Sequence, residues 1–106
     1  MNLLLIGIAS YYSIAGCLGC SSSFTMANGQ RLDDTKMTIA LTPANFRTYK
    51  NKFVDITNMK NGKTVRAKVT DTGGFGRYKR VADLSLATKN AIGCSDLCKV
   101  KIVLAN

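Results

Sequence analysis

The sequence has no histidine, no tryptophan and a single proline. Without histidine, Ser-His-Asp and Cys-His triads and His-ligated metal sites are excluded. General acid and base work then falls to carboxylates, lysine, tyrosine or cysteine. Acidic residues are scarce, six against fifteen Lys and Arg, which leaves a net charge of +9. Such an excess favours an anionic partner by long-range attraction: nucleic acid, an anionic membrane, or the carboxylates and phosphates of a cell wall. Long hydrophobic runs are missing as well. The apolar stretch near the N-terminus is too short to span a bilayer, so no membrane span is expected.

What is present suits one domain covering residues 1–106. A chain of this size buries roughly 60–70% of its unfolded surface, enough for one core with little to spare. Nine glycines among many short apolar runs point to tight β turns rather than a helical bundle. Four cysteines fall in two close pairs, Cys17 with Cys20 and Cys94 with Cys98. An even count in a short, loop-rich chain reads first as disulfides formed in an oxidising compartment, and three pairings are open. The same four residues have the spacing of a tetrahedral structural zinc site. A redox Cys-x-x-Cys is a third reading, though no thioredoxin-like βαβ pattern surrounds it. Apart from that zinc alternative, no cofactor is expected.

Residues Ile14-Ala15-Gly16-Cys17 look like a lipoprotein cleavage box. However, no Lys or Arg precedes the apolar run, and Tyr11, Tyr12 and Ser13 interrupt it. Cleavage there would also remove a segment that reads as a strand. The chain is therefore expected to be a mature or trimmed domain whose export signal is absent.

Along the chain, residues 6–12 read as a strand rich in β-branched and aromatic residues. Residues 16–30 form a Gly/Ser/Cys loop, and short strands follow at 37–41 and 53–58. Asn61-Gly62 is the strongest turn signal and predicts a hairpin. After it, Val65, Ala67 and Val69 fall on one face and Arg66, Lys68 and Thr70 on the other. Residues 72–76 read as a flexible Gly-rich loop, and 80–84 as a strand. Ser85 to Ile92 is the only clear helix, with Asp83 or Ser85 able to cap its start and Gly93 its end. A last strand covers 99–104, with Val100, Ile102 and Leu104 inward. Six or so short strands with one helix predict a small closed barrel.

Five segments, in order, carry a resemblance. Ala9-Ser10-Tyr11-Tyr12-Ser13 is similar to an Ala-Ser-Trp-Tyr-Gly opening, and Met26-Ala27-Asn28-Gly29-Gln30-Arg31-Leu32-Asp33 to a Thr-Ala-Asn-Gly-Glu-Arg-Phe-Asp segment. Val54-Asp55-Ile56-Thr57-Asn58 with Asn61-Gly62-Lys63 matches a Val-Arg-Val-Thr-Asn…Asn-Gly-Lys hairpin. Val69 to Phe75 is similar to an Asn-Asp-Arg-Gly-Pro-Phe loop, and Arg80 to Ser85 to an Arg-Ile-Ile-Asp-Leu-Ser segment. Together they cover about residues 7–104 and resemble the rare lipoprotein A family, related to expansins, barwin-like proteins and some lytic transglycosylases. The resemblance implies a mainly β, six-stranded double-psi β-barrel with one or two short helices. It also implies a secreted, periplasmic or cell-envelope location. The partner implied is peptidoglycan glycan strands or another anionic cell-wall polymer. A monomer is expected.

In active members the resemblance implies non-hydrolytic cleavage of glycan strands, in which one group acts first as acid and then as base. Asp71 stands at the position of the family's catalytic or substrate-binding Asp; its plainer role is to accept backbone N–H bonds in a turn. Gln30 departs from the family's Glu. An amide hydrogen-bonds sugar groups but delivers no acid proton, so the two-carboxylate arrangement is lost. Leu41 departs from a common His. Asn28, Asp33, Gly73, Gly74, Phe75, Tyr78 and Asp83 are the remaining candidate substrate-binding positions. Asp83 is equally a helix cap or half of a buried ion pair, and Asp33 a solvated turn residue. At least two of Tyr11, Tyr12, Phe75 and Tyr78 are expected in the core, and Tyr78 is expected to be exposed. Arg66, Lys68, Arg77, Lys79 and Arg80 flank Asp71 in sequence and form a basic face. No nucleic-acid motif accompanies that face, so no nucleic-acid partner is expected. Three functions follow: a lytic transglycosylase using Asp71, a non-catalytic expansin-like binding module, or a secreted interaction or inhibitor protein.

Overall fold

The computed structural model describes residues 3–13, 25–73 and 79–105. Its elements, in order, are β1 (Leu4–Tyr11), β2 (Thr38–Leu41), α1 (Pro43–Tyr49), β3 (Phe53–Asn58), β4 (Thr64–Thr72), β5 (Arg80–Leu84), α2 (Leu86–Ala91) and β6 (Cys98–Leu104). The six strands close into a barrel in the order β1-β5-β2-β4-β3-β6. The β1/β5 and β2/β4 pairs are parallel and the other four antiparallel. This is the mainly β, closed six-stranded barrel with two short helices that the resemblance implied.

Period-2 patterning builds the core. Ile39, Leu41, Val54, Ile56, Val69, Leu84, Val100 and Ile102 are wholly buried inside the barrel. As expected from alternation, Ala67 and Val69 turn inward while Arg66 faces water. Leu104 packs against the core only in part. The Asn61-Gly62 turn joins β3 to β4, with Gly62 at a φ of 77° that a side chain resists. The Asn58 and Asn61 amides both donate to the Ile92 carbonyl, at 2.9 and 3.0 Å. They tie the hairpin to a carbonyl that the end of α2 leaves without a helical partner.

Ser85, rather than Asp83, caps α2: its hydroxyl accepts from Thr88 N–H. The helix ends in a Schellman turn. Gly93 sits at φ 66°, its N–H bonds the Asn90 carbonyl, and Cys94 N–H reaches back to Lys89. The sequence did not announce α1. At seven residues it is too short for a helical period to show, and Thr42 at its start makes no side-chain cap bond. It is identified by Pro43 in its first turn and by the Phe46/Tyr49 pair, which packs on the core.

Each parallel pair contains one extra residue. Ile8 pairs with Arg80 and Ala9 with Ala82, so Val81 is a bulge; Ile39 pairs with Val69 and Ala40 with Asp71, so Thr70 is another. Val81 leans over Gly7, where a Cβ would lie 2.7 Å from Val81 Cγ1. Only glycine leaves β1 room for that bulge.

Candidate functional site

Strict alternation along β4 would send Asp71 inward with Ala67 and Val69. The Thr70 bulge resets the phase and brings Asp71 beside Ala40. Ile39 and Leu41 fill the barrel, so Ala40 and its partners lie on the opposite side of the sheet, where Ala40 and Ser10 are themselves covered. On the other side of β2, Ala40 pairs with Asp83, and Asp83 in turn pairs with Ser10 of β1. The result is a row across four strands: Ser10, Asp83, Ala40, Asp71. Neighbouring strands lie about 4.8 Å apart, so the two aspartates stand on either side of a short alanine. The Ser10 hydroxyl donates to Asp83.

Asp71 holds the turn that precedes Gln30. Its Oδ1 accepts from Ala27 N–H at 3.0 Å and from Thr72 N–H at 2.8 Å. Asn28 N–H bonds the bulged Thr70 carbonyl, and Thr70 Oγ1 donates to Met26 Sδ. The Asn28 amide then donates to Gln30 Oε1 at 2.8 Å and to Asn51 Oδ1 at 2.9 Å, while its own oxygen accepts from Gln30 N–H. Gln30 is thereby fixed through its oxygen, and its NH₂ group is the part left to donate elsewhere. Among the described residues, the buried Thr72 Oγ1 has no partner.

Tyr12 connects the row to the groove beside it. Its hydroxyl hydrogen-bonds Thr38 Oγ1 at 2.9 Å. Burial pushes the phenol up from 10.0 to about 12; the Thr38 and Thr70 hydroxyls pull it back in part, and the charges of Asp71 and Asp83 add to the rise. The phenol thus stays protonated at neutral pH, within the influence of the Asp71 and Asp83 charges. Thr38 is held in place by α2: its N–H donates to Ser85 Oγ, and its carbonyl accepts from Ser85 N–H and Thr88 Oγ1. Thr38 also closes one end of an open groove of about 510 Å³, lined besides by Met26, Gln30, Arg31, Leu32, Asp33 and Lys36.

The structure therefore gathers Asn28, Gln30, Asp33, Asp71 and Asp83 around one face of the barrel. Asp33 does so as a turn residue. The Thr35 hydroxyl and then the Thr35 N–H lower its carboxyl, with a smaller contribution from Lys36. Gly73 directly follows β4. Gly74, Phe75, Arg77 and Tyr78 lie outside the described residues, as do Cys17 and Cys20. Cys94 and Cys98 are joined by a disulfide, which engages both sulfurs of that pair. Tyr11 is exposed, with the Lys89 ammonium 4.7 Å from its ring centre, and Tyr12 is half-buried. Of the basic residues, Arg66 turns away to pair with Asp55 at 3.0 Å, whereas Lys68 lies beside Thr38. Sequence reasoning missed Ser10, Thr38, Thr70 and Asn51. Ser10 shared a strand face with Tyr12, but Thr38 and Thr70 read only as strand residues.

No family model and no curated protein matches the chain. Solved structures do. An expansin from Clavibacter michiganensis superposes with a TM-score of 0.71 at 22% identity, covering 98% of this chain and 51% of the expansin. A mutant of an expansin from the same organism, in complex with cellohexaose, gives 0.70 at 21% identity with the same coverage. The chain thus spans about half the length of these expansins. A Streptomyces papain inhibitor gives 0.67 at 17% identity, covering 97% of this chain and 96% of the inhibitor. At these identities the likeness is one of fold: the chain is similar in its barrel to all three.

Proposed function

We propose that this chain is a glycan-binding barrel that holds cell-wall polysaccharide along its outer face without cutting it. The observation that carries the reading is the row Ser10–Asp83–Ala40–Asp71, with neutral Tyr12 beside it and the Gln30 groove adjoining. Sugar hydroxyls are both donors and acceptors. They suit fixed carboxylate acceptors next to a phenol and an amide NH₂. Arg31, Lys36 and Lys68 beside the groove, within a chain of net charge +9, favour an anionic wall polymer such as peptidoglycan over a neutral one. An expansin crystallised with cellohexaose has the same fold, which supports a glycan as the ligand. An oxidising, extracellular location agrees with the Cys94–Cys98 disulfide.

The test pairs sedimentation with product analysis. The protein and its Asp71→Asn variant are incubated with purified peptidoglycan, intact and stripped of stem peptides, and with cellulose. Retention on the pellet with no new products supports a binding module. Anhydro-sugar products that vanish in Asp71→Asn would make the protein a lytic transglycosylase working without a partner Glu. Neither retention nor products would reject both.

A second reading has its own observation. The chain matches almost the whole length of the papain inhibitor but only half of the expansin. Stoichiometric inhibition of a papain-class protease, together with no retention on any glycan, would make the barrel a scaffold for protease contact instead.

A further inference from the structure

On β1, Leu4, Ile6 and Ile8 alternate with the inward Leu5, Gly7 and Ala9, so three large apolar side chains stand on the outer surface. They are 61%, 51% and 37% exposed, and Leu97 nearby is 54% exposed. A strand face of this kind on a small barrel marks an interaction site. Its neighbours are cationic. Ile6 pairs across the ladder with Lys101, and Ile8 with Lys99 on one side and Arg80 on the other. Lys79, Arg80, Ile8 and Leu97 line a crevice of about 410 Å³ at the end of the stripe. No acidic residue is a register partner of the stripe.

From these observations we propose that the Leu4–Ile6–Ile8 face is a docking surface for an anionic lipid bilayer. Apolar side chains enter the headgroup boundary while the flanking lysines meet lipid phosphates, the division of labour that interfacial anchors use. Two other occupants fit less well. Strand addition is closed off, because β1 is already hydrogen-bonded on both sides. A second copy packed through this face would set Lys99 and Lys101 of one copy against those of the other. Ser10 and Tyr12 continue the same side of β1 beyond Ile8, so docking here places the polar row next to the headgroups. The proposal does not depend on what that row binds, and its test contains no glycan.

The full chain is sedimented with vesicles of phosphatidylcholine alone and of phosphatidylcholine mixed with phosphatidylglycerol. Binding is expected to the mixed vesicles and not to the neutral ones. A K99Q/K101Q variant should bind about thirtyfold more weakly, at about fivefold for each lysine near an anionic surface. Ile6→Ser should bind roughly tenfold more weakly with an unchanged thermal midpoint, because Ile6 contributes exposed rather than core area. Should that variant fail to fold, the lysine pair carries the test. Absence of binding to the mixed vesicles overturns the proposal. So does an Ile6→Ser variant that folds and binds as well as the parent. A concentration-dependent dimer that Ile6→Ser abolishes would also overturn it, and would assign the face to a second copy.

Discussion

Replacing Tyr12 by Phe tests the electrostatics of the site through stability. The Tyr12 phenol loses its proton near pH 10 when unfolded and near pH 12 when folded. Between those values the folded state holds one proton more than the unfolded state, so unfolding releases it and stability falls as pH rises. Stability from this group is intact below pH 10 and lost through pH 12. The slope is about 1.4 kcal/mol per pH unit, and the full loss about 2.7 kcal/mol. Lysines titrate in the same range, so the parent curve alone is not diagnostic. Tyr12→Phe removes the titration and also the 2.9 Å bond to Thr38, which costs about 1 kcal/mol at neutral pH. The two stability curves should therefore cross. The parent is the more stable at neutral pH, and the variant is the more stable by about 1 kcal/mol at pH 12. Urea unfolding at stepped pH gives both curves, and ultraviolet absorbance counts the phenolates formed in the folded state. Curves that stay parallel to pH 12 would refute the burial that raises the Tyr12 phenol.

Two further substitutions test how the site is supported. Gly7→Ala should destabilise by about 1–3 kcal/mol, since the new methyl meets the stiff, branched Val81 at 2.7 Å. Adding Val81→Ala should recover part of that loss in a double-mutant cycle, and additive effects would mean that the contact does not decide the position. Ser85→Ala should cost about 1–3 kcal/mol, because it uncaps α2, strands the buried Thr38 N–H and removes the donor to the Lys36 carbonyl. Its glycan retention should fall at temperatures where the variant is still folded, since Thr38 loses its tether. Thermal melts and pellet assays on the same samples separate the two effects.

Much of this architecture is legible because it follows local rules. The alternation at 65–69 and 100–102, the Asn61-Gly62 turn and the Gly93 stop are each decided within a few residues, and the barrel agrees with them. The site is another matter. Asp71 and Gln30 share a face because of the bulge at Thr70, and nothing in Val-Thr-Asp marks a residue as extra. A bulge is a relation between two strands, and it becomes visible only when the partner strand is placed. The same holds for Thr38, whose role comes from contacts 47 and 50 residues away in sequence. The helix at 43–49 was hidden for a different reason: it is stabilised by packing Phe46 and Tyr49 on the core rather than by a periodic pattern.

The choice between holding and cutting a glycan turns on where the carboxylates are used. All six acidic residues are Asp. Asp55 pairs with Arg66 on the β3/β4 face, and Asp33 accepts from Thr35. Asp83 accepts from Ser10, and Asp71 accepts two backbone N–H groups. Each of these groups already serves as an acceptor. Cleavage of a glycosidic bond needs a proton donor poised over the leaving oxygen. Gln30, where the resemblance has Glu, has its oxygen engaged by Asn28 and presents only an amide. Tyr12 is a neutral acid among the described residues near the site, and a phenol raised to about 12 gives up its proton too reluctantly to act as a general acid at neutral pH. On the proposed reading, such a set of groups orders a sugar chain through many hydrogen bonds. Installing the missing acid is the decisive check on that logic. Gln30→Glu should leave retention on peptidoglycan intact. If lost chemistry is the sole difference from a lytic enzyme, it should also produce anhydro-sugars; if none appear, the groove as a whole is built for binding.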